Sequence, residues 1–203
     1  GQTSDLEIEF FEESLTPETV SQAKGFDAVT VFVDSRVDEE VLNSLDADIV
    51  ACRSTGYDHV NLEAAEENSI TVCNVPQYGG STVAEHTFGL ILSLSRKIYD
   101  AIQKVENGSF DHEGLRGFDL DGKKLGVVGT GAIGQNVIRI AKGFGMEVVA
   151  YDPYGEDDLE EELGFMYVSL EDLLSQSDIV TLHCPLTDEN RHMLSDEEFN
   201  LME

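Results

Sequence analysis

Basic residues are scarce in this sequence. The 203 residues include 12 lysines and arginines against 41 aspartates and glutamates, which gives a formal net charge of -29. A surface of that charge repels phosphate groups, so neither a nucleic acid nor an anionic membrane is expected as a partner. The acids form short runs, such as the one at 160–162, which are typical of a solvated surface. Molar salt screens such charges over roughly 3 Å, so we expect a halophilic source, with an ordinary acidic cytosolic protein as the alternative.

Cysteines and long apolar runs are also few. Cys52, Cys73 and Cys184 are odd in number and widely spaced, which argues against a disulfide framework and against a zinc site. No pair of histidines has the spacing of metal ligands, so no metal site is predicted. The longest apolar stretch, Phe88–Leu94, is too short to cross a bilayer core of about 30 Å, and no signal peptide follows Gly1. We expect a soluble, cytoplasmic protein with reduced thiols.

Apolar runs alternate with acidic helical segments along the chain, which predicts an α/β protein with parallel sheets. Leu6, Ile8 and Phe10 alternate with glutamates, as strand residues do. Thr16 is a candidate N-cap of a helix that would end at Gly25. The same patterns predict further strands at 28–33, 49–52 and 70–73 and helices at 38–45 and 61–67. The first lobe is therefore expected to be flavodoxin-like.

A strongly apolar helix is predicted in the middle of the chain. Thr82–Glu85 has the pattern of a capping box, and the segment that follows, 86–94, is apolar almost all round. Such a helix must be covered on every side, so we expect it where two lobes meet. A polar connector at 107–122 comes next. We therefore predict a first domain at 1–100 and a second domain at 101–203.

A glycine-rich turn opens the second lobe. The strand at 124–128 runs into Gly-Thr-Gly-Ala-Ile-Gly, and an amphipathic helix follows at 137–144. In a Rossmann βαβ unit the first glycine permits a tight turn, the second admits a pyrophosphate, and the third lets the helix pack on the strand. The N–H groups at the start of the helix then bind the phosphates. These three glycines are Gly129, Gly131 and Gly134.

The glycine motif alone is weak evidence, because tight connections are often rich in glycine. The next strand, 146–151, ends in Asp152, where an acidic side chain accepts hydrogen bonds from the adenosine ribose. No arginine adjoins Asp152, so its charge would repel a 2′-phosphate, which predicts NAD and not NADP. The rest of the lobe predicts a strand at 166–168, a helix capped by Ser169 with Asp172 three residues on, and a strand at 179–182. In open α/β sheets, ligands bind beyond the carboxyl ends of the strands. His183 lies at the carboxyl end of the strand at 179–182.

Five linked motifs resemble the D-isomer-specific 2-hydroxyacid dehydrogenases, with the D-lactate dehydrogenase branch as the nearest match. They are Arg53–Asp58, Asn74–Pro76, Val83–Glu85, the glycine motif with Tyr151–Pro153, and Leu182–Thr187. The resemblance implies a substrate lobe followed by an NAD-binding Rossmann lobe. It implies that the N–H groups near Thr55 and Gly56, together with Tyr78, hold the substrate carboxylate. It also implies cofactor contacts for Ala132, Ile133, Asp152, His183, Cys184, Pro185 and Asn190.

The family chemistry interconverts a 2-oxo acid and a D-2-hydroxy acid with NAD, and pyruvate with D-lactate is the favoured pair. Glyoxylate, hydroxypyruvate and 3-phosphoglycerate are alternatives, although no basic cluster near Thr55 or Tyr78 would hold a phosphate. The resemblance assigns catalysis to an Arg, a Glu and a His beyond Glu203, so no catalytic residue is predicted here. We expect a fragment truncated at both ends and inactive alone.

The resemblance leaves other functions open. One alternative is an NAD-sensing, corepressor-like binding protein, which would have the same fold. Another is a structural remnant of the family that binds no cofactor. The complete protein is expected to be a homodimer formed through the cofactor lobe, with the loop at 109–118 contributing.

Overall fold

The computed structural model describes residues 7–76 and 79–202. The chain divides into two compact units, residues 1–78 and 79–203, and each contains one parallel β-sheet. The α/β class and the parallel strands predicted from the sequence are confirmed. Among the described residues no helix is both long and apolar enough to span a membrane.

The described residues of the first unit form a sheet of three strands in the order β1-β2-β3. Val50 of the central strand pairs with Val29 on one side and Val72 on the other. Two described helices begin one residue after the predicted starts, because the side chain of Asp38 accepts from the N–H of Val41 and Asn61 caps the second helix in the same way. The first of them ends at Leu42, three residues before its predicted end. The elements are β1 Ala28–Val31, α1 Glu39–Leu42, β2 Ile49–Cys52, α2 Leu62–Glu67 and β3 Thr71–Cys73.

Two predicted elements near the N-terminus are wrong. Residues 7–10 form no strand, and Ile8 and Phe10 are 66% and 92% exposed; Leu6 lies outside the described residues. The helix predicted from Thr16 is only a 3-10 helix at Val20–Ala23. The Thr19 hydroxyl donates to the carbonyl of Ser14 at 2.7 Å and lies near the Thr16 hydroxyl. Such local side-chain hydrogen bonds favour a turn over a regular helix.

The second unit has four strands in the order β6-β5-β4-β7. Strands β5 and β6 follow one another on one side of β4, and the chain then crosses over so that β7 pairs with the other side of β4. The order of strands thus reverses between β4 and β7, and a crevice forms at the carboxyl edge of such a switch point. The strands are β4 Lys124–Val128, β5 Glu147–Tyr151, β6 Met166–Tyr167 and β7 Ile179–Leu182. The helices are α3 Gly80–Ser95, α4 Ile98–Glu106, α5 Ala132–Gly143, α6 Asp157–Leu163, α7 Leu170–Gln176 and α8 Asp196–Phe199.

Helices cover both faces of this sheet. On one face Leu125 and Val127 pack with Val137 of α5 in a fully buried cluster. On the other face Val128 and Val149 pack against Leu173 and Leu174 of α7. Because β4 is buried on both faces, its sequence is apolar almost throughout.

Helix α3 differs from its prediction in three ways. It begins at Gly80 after a left-handed Gly79, so Thr82 lies inside the first turn and no capping box forms. Its buried side chains, including Phe88, join the core of the second unit, and the unit boundary therefore falls before α3 and not near residue 100. The helix is not covered on all sides, since Leu90 and Leu94 are 56% and 75% exposed.

Candidate functional site

The glycine turn lies at the carboxyl end of β4, and two of its glycines are required by the protein itself. Gly129 has φ of 94°, and a Cβ there would lie 2.8 Å from the backbone nitrogen of Cys184. A Cβ at Gly134 would overlap the carbonyl oxygen of Gly129, because α5 crosses directly over the turn. Gly131 is different, since nothing lies within 4 Å of the place its Cβ would take. The turn thus leaves open space at its middle glycine, where a ligand can approach the backbone.

The start of α5 provides backbone donors beside that space. Gly131 is the N-cap residue and supplies no side-chain hydrogen bond. The first helical hydrogen bond runs from Gln135 to the carbonyl of Gly131, so the earlier N–H groups, including those of Ala132 and Ile133, have no acceptor within the helix. The side chain of Gln135 also donates to the carbonyl of Thr130 at 2.9 Å, which braces the turn. This arrangement suits an anion such as a pyrophosphate.

Asp152 follows β5 and is bonded to the glycine turn. Its Oδ2 accepts from the backbone nitrogen of Thr130 at 2.8 Å and from the Thr130 hydroxyl at 3.0 Å. Its Oδ1 accepts from the backbone nitrogen of Tyr154 at 2.9 Å. Burial raises the pKa of Asp152, but the hydrogen bonds from Thr130 and Tyr154 outweigh that effect, and the net pKa lies below the ordinary value. The carboxylate is therefore ionised at neutral pH, as a ribose acceptor must be.

Sequence reasoning missed two residues of this cluster. The Thr130 hydroxyl also lies 2.8 Å from the hydroxyl of Tyr167, at the end of β6. Thr130 occupies the position between the first two glycines of the motif, and the motif itself assigns no role to that residue. Tyr167 could have been found from the strand order, because β6 borders β5 and parallel strands end at the same edge.

The segment after β7 ends at the same edge. The backbone nitrogen of His183 donates to the carbonyl of Val128 at 2.7 Å, which extends the β4–β7 pairing. Its Nε2 lies 2.9 Å from the Thr181 hydroxyl. Burial lowers the pKa of His183, so the imidazole is neutral at pH 7. A neutral ring held by a threonine suits a packing surface better than a proton donor.

Asn190 braces the loop that follows Cys184. Its Nδ2 donates to the carbonyl of Pro185 at 2.6 Å, and its Oδ1 accepts from the backbone nitrogen of Thr187 at 2.8 Å. Its amide also lies 3.9 Å from the sulfur of Cys184. The side chain therefore shapes the rim beside Gly129, and the predicted contact of Asn190 with the cofactor stays a prediction.

The predicted carboxylate loop follows β2 in the first unit. The Thr55 hydroxyl donates to the carbonyl of Val75 at 3.0 Å, and the side chain of Asn74 donates to the carbonyl of Thr55 at 2.8 Å. The Ser54 hydroxyl donates to the carbonyl of Gly56 at 2.7 Å. The bonds of Thr55 with Val75 and with Asn74 tie the loop after β2 to the segment after β3, and the Ser54 bond closes the loop on itself. Tyr78, the third residue predicted here, lies outside the described residues.

A cavity of about 480 Å³ opens at the carboxyl ends of β1 and β2. Its walls are mostly apolar, with one cation whose guanidinium carbon lies 5.5 Å from the ring centre of Phe32. The lining residues are Phe32, Ala51, Cys52, Arg53 and Val75. Sequence reasoning did not find this cavity, because its walls come from three separate segments. Its size suits a small organic molecule.

Comparisons with known proteins agree with this geometry. Residues 88–203 match the family model described as D-isomer specific 2-hydroxyacid dehydrogenase, NAD binding domain. A 2-hydroxyacid dehydrogenase homolog of Haemophilus influenzae is 44% identical over 98% of this chain and 60% of its own length. The D-lactate dehydrogenase of Escherichia coli is 43% identical over the whole chain and 62% of its own length.

Solved structures show the same likeness. The apo-structure of D-lactate dehydrogenase from Escherichia coli matches 97% of this chain and 63% of its own, with a TM-score of 0.85 and 43% identity. A D-lactate dehydrogenase from Aquifex aeolicus, complexed with NAD and lactic acid, matches 91% of this chain and 56% of its own, with a TM-score of 0.84 and 35% identity. The chain spans 60% to 62% of the two curated relatives. It belongs to the D-isomer specific 2-hydroxyacid dehydrogenase family and contains that family's NAD-binding domain.

Proposed function

We propose that the complete protein interconverts a 2-oxo acid and a D-2-hydroxy acid with NAD, and that pyruvate and D-lactate are its substrates. The observation that carries this proposal is the junction of the Gly129–Gly134 turn with the ionised Asp152 at one sheet edge. A dinucleotide needs both a phosphate cradle and a ribose acceptor there. The identity of 43% to a D-lactate dehydrogenase supports the choice of substrate.

We assign cofactor binding to residues 79–203. The open space at Gly131 and the N–H groups at Ala132 and Ile133 would take the pyrophosphate. Asp152 would accept from the adenosine ribose, and the rim at 183–185 would flank the adenosine half. When bound, NAD supplies the hydride acceptor of the reaction.

We assign substrate binding to residues 1–78, which would make the first unit the substrate domain. The loop at Thr55 and Gly56 would hold the carboxylate, and the nearby cavity would take the side chain. The roles of these residues, and of Tyr78, stay predictions. Because the chain spans about three fifths of its relatives, we assign the carboxylate clamp to an Arg and proton transfer to a Glu-His pair outside these 203 residues. We therefore expect the 203 residues alone to turn over little pyruvate.

The test is a fluorescence titration of the chain with NADH, in molar and in dilute salt. Asp152→Ala should raise the Kd about tenfold or more, since hydrogen bonds to a charged group are lost. Asp119→Ala is the matched control, because it removes the same charge from a side chain that is 85% exposed. A chain that binds no NADH contradicts the proposal. If the complete protein binds NADH but reduces no 2-oxo acid, an NAD-sensing binding protein is favoured instead.

We propose further that the complete protein is a homodimer. Apolar side chains on α3, on α4 and in the following loop are exposed: Leu94 is 75%, Val105 is 54% and Phe110 is 87% exposed. A contact between two identical copies would cover this surface on both at once. Sedimentation of the complete protein should show a dimer that Leu94→Glu dissociates and that Leu62→Glu, an exposed leucine of the first unit, does not.

We also propose that the protein works in the cytoplasm of a halophile. The net charge of -29 supports this, as does the position of the acids. Even within their ion pairs, the side chains of Asp119 and Asp188 are 85% and 99% exposed. Salt screening would relieve the repulsion among such groups.

A further inference from the structure

A chain of two hydroxyl groups leads to the carboxylate of Asp152. The hydroxyl of Tyr167 lies 2.8 Å from that of Thr130, which lies 3.0 Å from Oδ2 of Asp152. An ionised carboxylate only accepts hydrogen bonds, so Thr130 must give its single proton to Asp152. Thr130 therefore accepts from Tyr167. The direction of the whole chain follows, from tyrosine to threonine to aspartate.

The two oxygens of Asp152 are then unequal. Oδ2 already accepts two hydrogen bonds from Thr130, whereas Oδ1 accepts one, from Tyr154. Since a carboxylate has about four acceptor positions, two on each oxygen, the position that remains is on Oδ1. A ribose hydroxyl would bind at Oδ1 without breaking any bond of the cluster.

We propose that Tyr167 is a positioning residue: through the Thr130 hydroxyl it holds the Asp152 carboxylate in one orientation, which leaves Oδ1 for the ribose and selects NAD against NADP. The inference rests on the proposed binding of NAD at Asp152. A fixed, ionised carboxylate cannot turn away from a 2′-phosphate, whereas a carboxylate held by a weaker Thr130 donor, as it is without the Tyr167 hydroxyl, can rotate more freely. Discrimination between the two cofactors therefore depends on the hydroxyl of Tyr167.

Packing fixes the ring of Tyr167 before any ligand binds. Its ring meets that of Phe165 edge-on, with centroids 4.9 Å apart. A Cβ added at Gly155 would lie only 2.7 Å from the ring carbon that carries the hydroxyl. The backbone nitrogen of Tyr167 is also bonded to the Glu160 carboxylate. Because the ring is already held, the hydroxyl acts on Thr130 with little further loss of side-chain entropy.

The first experiment needs no cofactor. NMR titration of the Asp152 carboxyl carbon compares the chain with its Tyr167→Phe variant, which loses only the hydroxyl. We expect the pKa of Asp152 to rise toward its ordinary value, because Thr130 becomes a weaker donor when Tyr167 no longer polarises it. Tyr99→Phe, at an exposed tyrosine of α4, should leave that pKa unchanged. An unchanged pKa in Tyr167→Phe, with an unchanged melting temperature, overturns the proposal.

The second experiment measures the Kd of NADH and of NADPH. Tyr167→Phe should weaken NADH binding by about two- to tenfold, the range for one lost hydrogen bond, and weaken NADPH binding less. In a Thr130→Val or an Asp152→Ala background the same substitution should have no further effect on NADH. Gly155→Ala, which pushes the ring away without removing the hydroxyl, should act in the same direction as Tyr167→Phe.

The outcomes separate this inference from the proposed function. If the unmodified chain binds NADH but Tyr167→Phe binds it equally well, or if its effect persists in Asp152→Ala, the positioning role is wrong and NAD binding stands. If the unmodified chain binds no NADH, the proposed function fails and cofactor selection fails with it. The carboxyl titration then still decides whether the hydroxyl chain acts on Asp152.

Discussion

At the scale of single residues, the glycines of the turn are not equivalent. Gly134 has no space for a Cβ, because the carbonyl oxygen of Gly129 occupies that place. Gly131 has open space, so the protein itself would accept a methyl group there. The fold therefore demands a glycine at 134, as it does at 129, and only a ligand would demand one at 131. Substitution by alanine separates the two demands.

We predict that Gly134→Ala destabilises the second unit by about 1–3 kcal/mol, the usual cost of overpacking, because α5 must move away from the turn. Gly131→Ala should lower the melting temperature less than Gly134→Ala, because its only cost is that alanine is a poorer N-cap than glycine. It should still weaken NADH binding, since its methyl group would enter the space assigned to the pyrophosphate. Thermal unfolding and NADH fluorescence are the two measurements. Gly143→Ala, at the other end of α5 where nothing lies within 4 Å, is the control: it should leave NADH affinity unchanged and should not lower the melting temperature, because alanine has the higher helix propensity. Equal NADH affinity in Gly131→Ala would contradict the proposed phosphate position.

At the scale of elements, local signals were reliable where a polar cap adjoined an apolar run. Ser169 caps its helix as predicted, and Asp38 and Asn61, predicted as first helical residues, are the caps of theirs. The same kind of signal was wrong at Thr82, because the helix extends back to a left-handed Gly79 and the supposed cap lies inside it. Tertiary packing of the helix overrode the local preference there.

The cap of α7 allows a matched test of this reasoning. The Ser169 hydroxyl accepts from the backbone nitrogen of Asp172 at 3.1 Å, and Leu173 of the same helix is fully buried. We predict that Ser169→Ala lowers the free energy of unfolding by about 1 kcal/mol. Ser175→Ala, in the exposed part of α7, should be neutral or slightly stabilising, because alanine has the higher helix propensity. Urea unfolding measures both, and equal effects would show that the cap contributes nothing.

At the scale of the whole molecule, charge dominates. Even if each of the 12 basic side chains neutralised one acid, a net charge of -29 would remain. Ion pairs cannot cancel that excess, and those present lie at the surface, where pairs contribute little. The folded state therefore carries a repulsion that depends on the surrounding salt.

We predict that the melting temperature rises as KCl increases from about 0.1 to 2 M, because the screening length falls from about 10 Å to under 3 Å. Each kcal/mol of repulsion removed should raise it by about 2–4 °C in a protein of this size. Sucrose at equal osmolality is the control, since it stabilises without screening charge. If KCl gave no more stabilisation than sucrose, self-repulsion would be unimportant and the halophilic proposal would lose its support.

The sequence by itself determined the features that depend on neighbouring residues or on composition. These are the excess of acid, the strands of both sheets, the glycine turn and the acidic residue after the next strand. Only the tertiary structure decided which distant groups meet. Thr130, Asp152 and Tyr167 form one cluster because β4, β5 and β6 are adjacent and end at one edge. Helix α3 belongs to the second unit because Phe88 packs into that core. Strand order and packing join residues far apart in the chain, and no local pattern encodes those contacts.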